Sequence, residues 1–170
     1  MRFNEFNMKR LTIVRHAKSS WKHNVIDHER PLNKRGFNDA QLVSSYLKDK
    51  LEKVDMIWSS DANRTKTTCE IFISNLGIDV SLVTLNHNLY DFSGHNLVNE
   101  IKNCNNNINT LMIFGHNHAI TSFVNTYGDI FIDNVPTCGL TILEFDIENW
   151  DDLKPGRTLK TVFPRDLKNE

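Results

Sequence analysis

Apolar positions along this chain follow two alternating rhythms. Short runs rich in apolar and β-branched residues recur at "LTIV" (11–14), "VDMIWSS" (54–60), "VSLVTL" (80–85), "TLMIFG" (110–115), "GLTILEFDI" (139–147) and "TLKTVF" (158–163). Each reads as a β-strand. Between them the spacing changes to three and four. Phe37, Ala40, Val43, Tyr46, Leu47 and Leu51 share one helical face within 35–51, and Thr65, Cys69, Phe72 and Leu76 share another. Leu97, Val98 and Ile101 predict a short helix; Ile120, Phe123, Val124 and Tyr127 predict one more. Ser60 or Asp61 can cap the second of these helices, and Gly77 and Gly128 stop the second and the last. The polar stretches 17–34, 86–96 and 103–109 read as loops, and Pro155–Gly156 as a turn between the last two strands.

Strand–helix alternation followed by two adjacent strands predicts an α/β domain. Its sheet of about six strands is mixed and mostly parallel, has helices on both faces, and carries its antiparallel part late in the chain. A length of 170 residues, with no internal repeat and no linker, fits one domain over 1–170. Residues 1–8, ahead of Lys9–Arg10 and the first strand, are a candidate disordered extension.

Charge narrows the function classes. Twenty basic and 21 acidic residues give a net charge of −1, so there is no broad basic field for nucleic acid. Anion recognition must come from a local cluster. Three widely spaced cysteines (Cys69, Cys104, Cys138) argue against a disulfide framework or structural zinc and fit a reducing cytoplasm. No signal-peptide core or membrane-length apolar run is present, so the expectation is a cytoplasmic protein without a membrane partner.

The strand ends supply that cluster. Ligands of open α/β sheets bind beyond the carboxyl ends of strands. The first strand ends in Arg15–His16, the second leads into "SSDANR" with Arg64 in the next helix's first turn, and the fourth ends in Gly115–His116. Two arginines and two histidines therefore converge on one sheet edge. A guanidinium fork suits phosphate oxygens, and a helix N-terminus adds free N–H groups. A histidine beside arginines is biased toward neutral imidazole, which is a nucleophile for phosphorus. A second histidine can donate to the charge that develops.

These residues carry a family resemblance. "VRHAKSSW", "RPLNKRG", "SSDANRTKTT" and "GHN" resemble, in order and spacing, the histidine phosphatase superfamily, and most closely its SixA-like phosphohistidine phosphatase branch. The resemblance spans about residues 9–165. It implies a phosphoglycerate-mutase-like three-layer α/β/α sandwich and a metal-independent phosphatase. His16 would be the nucleophile that becomes phosphorylated. Arg15, Arg64 and His116 would bind the phosphoryl group, Ser19 would place a hydroxyl near it, and Asp91 would be the acidic proton donor. No cofactor is implied, and the expected partner is a phosphorylated substrate, phosphohistidine in a protein above others. Departures are Ala17 in place of glycine, His118 where relatives often have proline, and an aspartate rather than glutamate at 91. The segment 65–115 is short, where mutase-type relatives carry a specificity insertion.

Two other readings stand beside this one: a small-molecule phosphomonoesterase of the same fold, and a non-catalytic phosphate-binding adaptor. His23, His28, His87 and His95 read as surface loop residues, Trp21 as a packing anchor, and Arg30 with Lys34–Arg35 as a solvated basic stretch. His116 and His118, two residues apart without a cysteine or helical carboxylate, make a poor metal pair, and no metal site is expected.

Overall fold

A computed structural model describes residues 8–168. Its order is β1 (Met8–Arg15), α1 (Lys34–Leu47), β2 (Met56–Ser59), α2 (Asn63–Leu76), β3 (Val83–Leu85), α3 (His95–Lys102), β4 (Thr110–Gly115), α4 (Ala119–Tyr127), β5 (Leu140–Asp146), β6 (Arg157–Val162) and α5 (Pro164–Lys168). The six strands form one sheet in the order β3-β2-β4-β1-β5-β6. The first four positions are parallel, while β5 runs antiparallel to both β1 and β6.

Period-two alternation sends side chains to two cores. Leu11, Ile13, Leu111, Ile113, Leu143 and Phe145 pack with Leu97 and Ile101 of α3 and Phe123 and Val124 of α4. Val14, Met112, Phe114 and Leu140 pack on the other face with Ala40, Val43 and Leu47 of α1 and Phe72 of α2. The result is the expected three-layer sandwich. All six residues of β4 are buried, as a central strand covered on both faces requires.

Several element ends differ from the pattern. Met8 belongs to β1, so the strand takes in part of the proposed extension; residues 1–7 lie outside the described residues. The buried stripe of α1 is Gly36, Ala40, Val43 and Leu47, which leaves Phe37 45 % exposed. Leu51 falls beyond the helix. Only the second half of 80–85 is strand, because the Asp79 carboxylate accepts from Ser81 N–H and bends Val80–Leu82 into a 3-10 turn. The short helix α5 has no signal in the periodicity.

The "RPLNKRG" segment holds the loop that follows the first strand. Ser19 pairs with Leu32 in an antiparallel bridge, and Ser20 N–H donates to Pro31 O at 2.8 Å. Asn33 caps α1 by accepting from Gly36 N–H at 2.8 Å. A Cβ on Gly36 would lie 2.1 Å from the Lys18 carbonyl oxygen, so only glycine lets the helix approach this closely.

Candidate active site

Parallel pairing of β1, β4 and β2 brings their carboxyl ends to one edge. Arg15–His16 leaves β1 there, Ser60 leaves β2, and His116 leaves β4. The nucleophile candidate is fixed through its backbone, with His16 N–H donating to Gly115 O at 3.0 Å. Its side chain is fixed as well. His16 Nδ1 lies 2.7 Å from the Ala17 carbonyl, which makes Nδ1 the protonated nitrogen and leaves the Nε2 lone pair free. That Nε2 lies 3.4 Å from Arg64 Nε.

Arg64 is 2 % exposed and joins the whole cluster. Its Nη2 lies 3.5 Å from His116 Nδ1. Its other contacts are to Asp27: Nη1 donates to the carbonyl at 2.7 Å and Nη2 to the carboxylate at 3.0 Å. His116 is turned so that Nε2 lies 2.8 Å from Ser60 Oγ and 3.3 Å from Thr65 Oγ1. The His16 and His116 ring centroids are 5.3 Å apart, and the Tyr90 and Phe92 rings flank His116 at 5.2 and 5.1 Å. Arg15 Nη1 donates to Val135 O at 2.9 Å, while its buried Nε has no hydrogen-bond partner among the described residues. A buried guanidinium N–H left unpaired costs free energy until an acceptor such as an oxyanion meets it.

Burial sets the protonation states. It pushes His16 down to about 3, with Arg64, Arg15 and Arg30 charges acting in the same direction. His116 is pushed down to about 2, again first by burial and then by His16 and Arg64. Both imidazoles are therefore neutral at physiological pH, which a nitrogen nucleophile requires.

Comparison with known proteins agrees with this geometry. Residues 11–86 match the histidine phosphatase superfamily (branch 1). An uncharacterized protein of Mycobacterium tuberculosis is 28 % identical over 153 residues, covering 84 % of this chain and 93 % of the relative. The protein histidine phosphatase SixA, solved with tungstate, superposes with a TM-score of 0.76 at 16 % identity, covering 93 % of this chain and 99 % of SixA. A phosphoglycerate mutase from Bacillus anthracis gives 0.61 at 13 % identity, covering 95 % and 96 %. These likenesses give the chain its fold, SixA-like and phosphoglycerate-mutase-like, in agreement with the fold that the motif resemblance implies.

Of the site residues expected from the sequence, Arg15, His16, Arg64 and His116 come together. Ser19 is buried, and its hydroxyl oxygen accepts from Arg30 Nη1 at 2.6 Å. It reaches the site through Arg30, whose charge acts on His16. Asp91 lies at the start of α3. Its Oδ1 accepts from the Ser93 backbone (3.2 Å) and hydroxyl (3.1 Å), and its Oδ2 accepts from Gly94 N–H and Leu97 N–H, both at 3.1 Å. The carboxylate is committed to the start of α3, where orphan N–H groups need an acceptor. Asp91→Asn is therefore expected to lower the melting temperature by about 2–10 °C, the equivalent of about 1–3 kcal/mol for a cap whose acceptor is lost. It should leave kcat on an ester substrate unchanged. A kcat loss of about 10²–10⁴-fold, the size of general acid catalysis, would restore the proton-donor role.

Sequence reasoning missed the groups that hold Arg64. Asp27 accepts from Arg64, from Arg30 Nε at 3.0 Å and from the Tyr90 hydroxyl. Burial alone would raise its carboxyl, but the Tyr90 and Arg64 hydrogen bonds and the Arg64 charge outweigh it and hold Asp27 well below the usual carboxylate range. Arg30, expected in solvent, is 7 % exposed, and its guanidinium stacks 3.5 Å from the Trp21 ring centroid. Trp21 is 75 % exposed, so Arg30 anchors this loop and Trp21 covers it.

The two depressed histidines also set a pH dependence of stability. Unfolding returns each to about 6.5, so between roughly pH 3 and 6.5 the unfolded chain binds more protons than the native one. Their contribution is complete above 6.5 and falls as pH falls through that window. Acidification from pH 6.5 to 5 is expected to remove about 2–4 kcal/mol. Melting curves across this range check it; His16→Asn should flatten the slope by about one proton, and an unchanged slope would contradict the assignment.

Proposed function

We propose that this protein is a phosphatase of the histidine phosphatase superfamily, that it acts through a phosphohistidine intermediate on His16, and that its substrate is phosphohistidine carried by a protein. One observation carries the mechanism: the Ala17 carbonyl takes the Nδ1 proton, so a neutral Nε2 lone pair sits 3.4 Å from Arg64 Nε. In the first step Nε2 attacks phosphorus in line. A P–N bond to His16 forms as the substrate's P–N bond breaks, and the departing imidazole leaves protonated. Arg15 and Arg64 hold the equatorial oxygens. With Ser60 Oγ–H donating to His116 Nε2, Nδ1–H faces the phosphoryl group beside Arg64 Nη2. The 3.5 Å between those two nitrogens is then bridged by one phosphoryl oxygen that accepts from both. In the second step water attacks phospho-His16, releasing phosphate and regenerating neutral imidazole. Two guanidinium groups supply the charge and neutral His116 donates a hydrogen bond, so no metal is required.

Three features support the substrate class. The SixA structure that shares this fold was solved with tungstate, a tetrahedral oxyanion like phosphate. The Asp91 carboxylate is engaged at the start of α3, and Asp27 is held ionised by Tyr90 and Arg64, so neither offers a protonated carboxyl group; a phosphohistidine leaving group can be protonated before its P–N bond breaks. Between Thr65 and Gly115 the chain carries only α2, β3, α3, β4 and two 3-10 turns, without an inserted lid to enclose a small metabolite. Three buried free cysteines fit a cytoplasmic setting. No helix among the described residues is long and apolar enough to cross a membrane. The test is kcat/KM on a phosphohistidine-bearing protein domain, on free phosphohistidine and on a panel of sugar phosphates. The protein-borne substrate is expected to lead; a clear preference for a sugar phosphate would replace this reading with a small-molecule phosphomonoesterase.

A further inference from the structure

Three titratable side chains that the His16 chemistry does not use meet at the edge of the pocket. Asp61 Oδ1 lies 2.8 Å from His28 Nε2, and Asp61 Oδ2 lies 2.9 Å from His87 Nδ1. One ligand atom from each residue lies within 4.8 Å of the other two. We propose that His28, Asp61 and His87 form a binding site for a divalent metal ion of the zinc class, and that the bound ion fastens three walls of the catalytic pocket together.

The donor set favours that class. Two imidazole nitrogens and one carboxylate oxygen suit zinc-like ions, whereas magnesium and calcium take oxygen ligands. Zinc bonds of about 2.0–2.2 Å in tetrahedral geometry put ligand atoms roughly 3.3–3.5 Å apart. The contacts to Asp61 need to open by only about half an ångström to reach that spacing. The side chains can move this far, because Asp61 and His28 are each 31 % exposed and His87 is 71 % exposed. The same exposure leaves the fourth position to water.

Placement gives the site its consequence. His28 follows Asp27, which holds Arg64 and Tyr90. Asp61 lies between Ser60, the hydroxyl on His116 Nε2, and the first turn of α2 that carries Arg64. His87 opens the 3-10 turn His87–Leu89 that leads into Tyr90, whose ring packs on His116. Each ligand therefore sits within three residues of a group that contacts Arg64 or His116. Residues 28, 61 and 87 are too far apart in sequence for spacing to reveal them, and only the meeting of three strand-end loops joins them.

The experiment uses the whole chain, stripped with a chelator and titrated with zinc against a chromophoric indicator, with melting curves alongside. One zinc per chain is expected. At a hundredfold excess over Kd, the melting temperature should rise by roughly 5–10 °C. Asp61→Asn and His87→Ala should each weaken binding by more than about 100-fold, since even partners one shell further out cost 10–100-fold. His95→Ala, on the exposed face of α3, should bind zinc like the parent chain. Amide exchange in residues 27–29 and 87–90 should slow when zinc is bound; unchanged exchange there would overturn the fastening. Binding that survives His87→Ala, or the absence of one-to-one binding, would overturn the site. A purely ionic cluster would show variant effects on melting in chelator but no zinc-induced shift, and that outcome also rejects the proposal.

Discussion

Replacing His16 with alanine is expected to lower phosphate release by about 10⁴-fold or more while the chain stays folded. The His16 imidazole makes one hydrogen bond, to Ala17 O, and one long contact, to Arg64. Its backbone bond to Gly115 O does not depend on the side chain. Losing the ring therefore removes the atom that bonds phosphorus and leaves β1, β4 and the Arg64–Asp27 pair in place. The intermediate gives a second readout. Rapid quenching in alkali should trap labelled phosphate on the parent chain as an acid-labile adduct, and the alanine variant should carry none. Full activity in His16→Ala would sink covalent catalysis at this residue. A parent chain that neither turns over nor labels would favour the adaptor reading.

The second large effect is expected at Arg64. Arg64→Lys keeps a positive charge but loses the planar fork that reaches His16, His116 and Asp27 at once. Complete loss of an arginine aimed at a transferring phosphoryl group costs about 10³–10⁵ in rate, so the lysine variant should fall by about 10²–10⁴ in kcat/KM. Most of the loss should appear in kcat, because the fork meets the charge that grows in the transition state. Asp27→Asn should show a smaller loss of the same kind, since it loosens the fork without removing it. Near-normal activity in Arg64→Lys would mean that charge alone matters and that the fork geometry has no catalytic role.

The two predictions differ in how far the sequence foretold them. Strand ends were legible because apolar runs break where the backbone leaves the sheet, and Arg15, His16 and His116 sit at such breaks. Arg64 was legible from its place in a first helical turn. Asp27, Arg30 and Tyr90 were not, because they lie in loops without periodicity and act through contacts between residues as far apart as 27 and 90. The helix-start contacts of Asp91 were not legible for a related reason: a carboxylate two residues before Ser93 and three before Gly94 gives no sign in the sequence of which way its side chain turns. In the fold, Phe37 was misplaced because periodicity marks a helix but leaves its rotation open by a residue. Gly36, pressed on Lys18 O, fixes that rotation.

The strand that leads into His16 lies between β4 and β5, which are made from residues beyond 109 and 139. Arg15 is completed from the same late region: its N–H donates to Gly139 O, its carbonyl accepts from Cys138 N–H, and its guanidinium is held by Val135 O. On a ribosome adding about 5–20 residues per second, the roughly 120 residues between His16 and β5 take about 6–25 seconds to make. Until β5 docks against β1, Arg15 lacks these backbone partners and the cluster around His16 is incomplete.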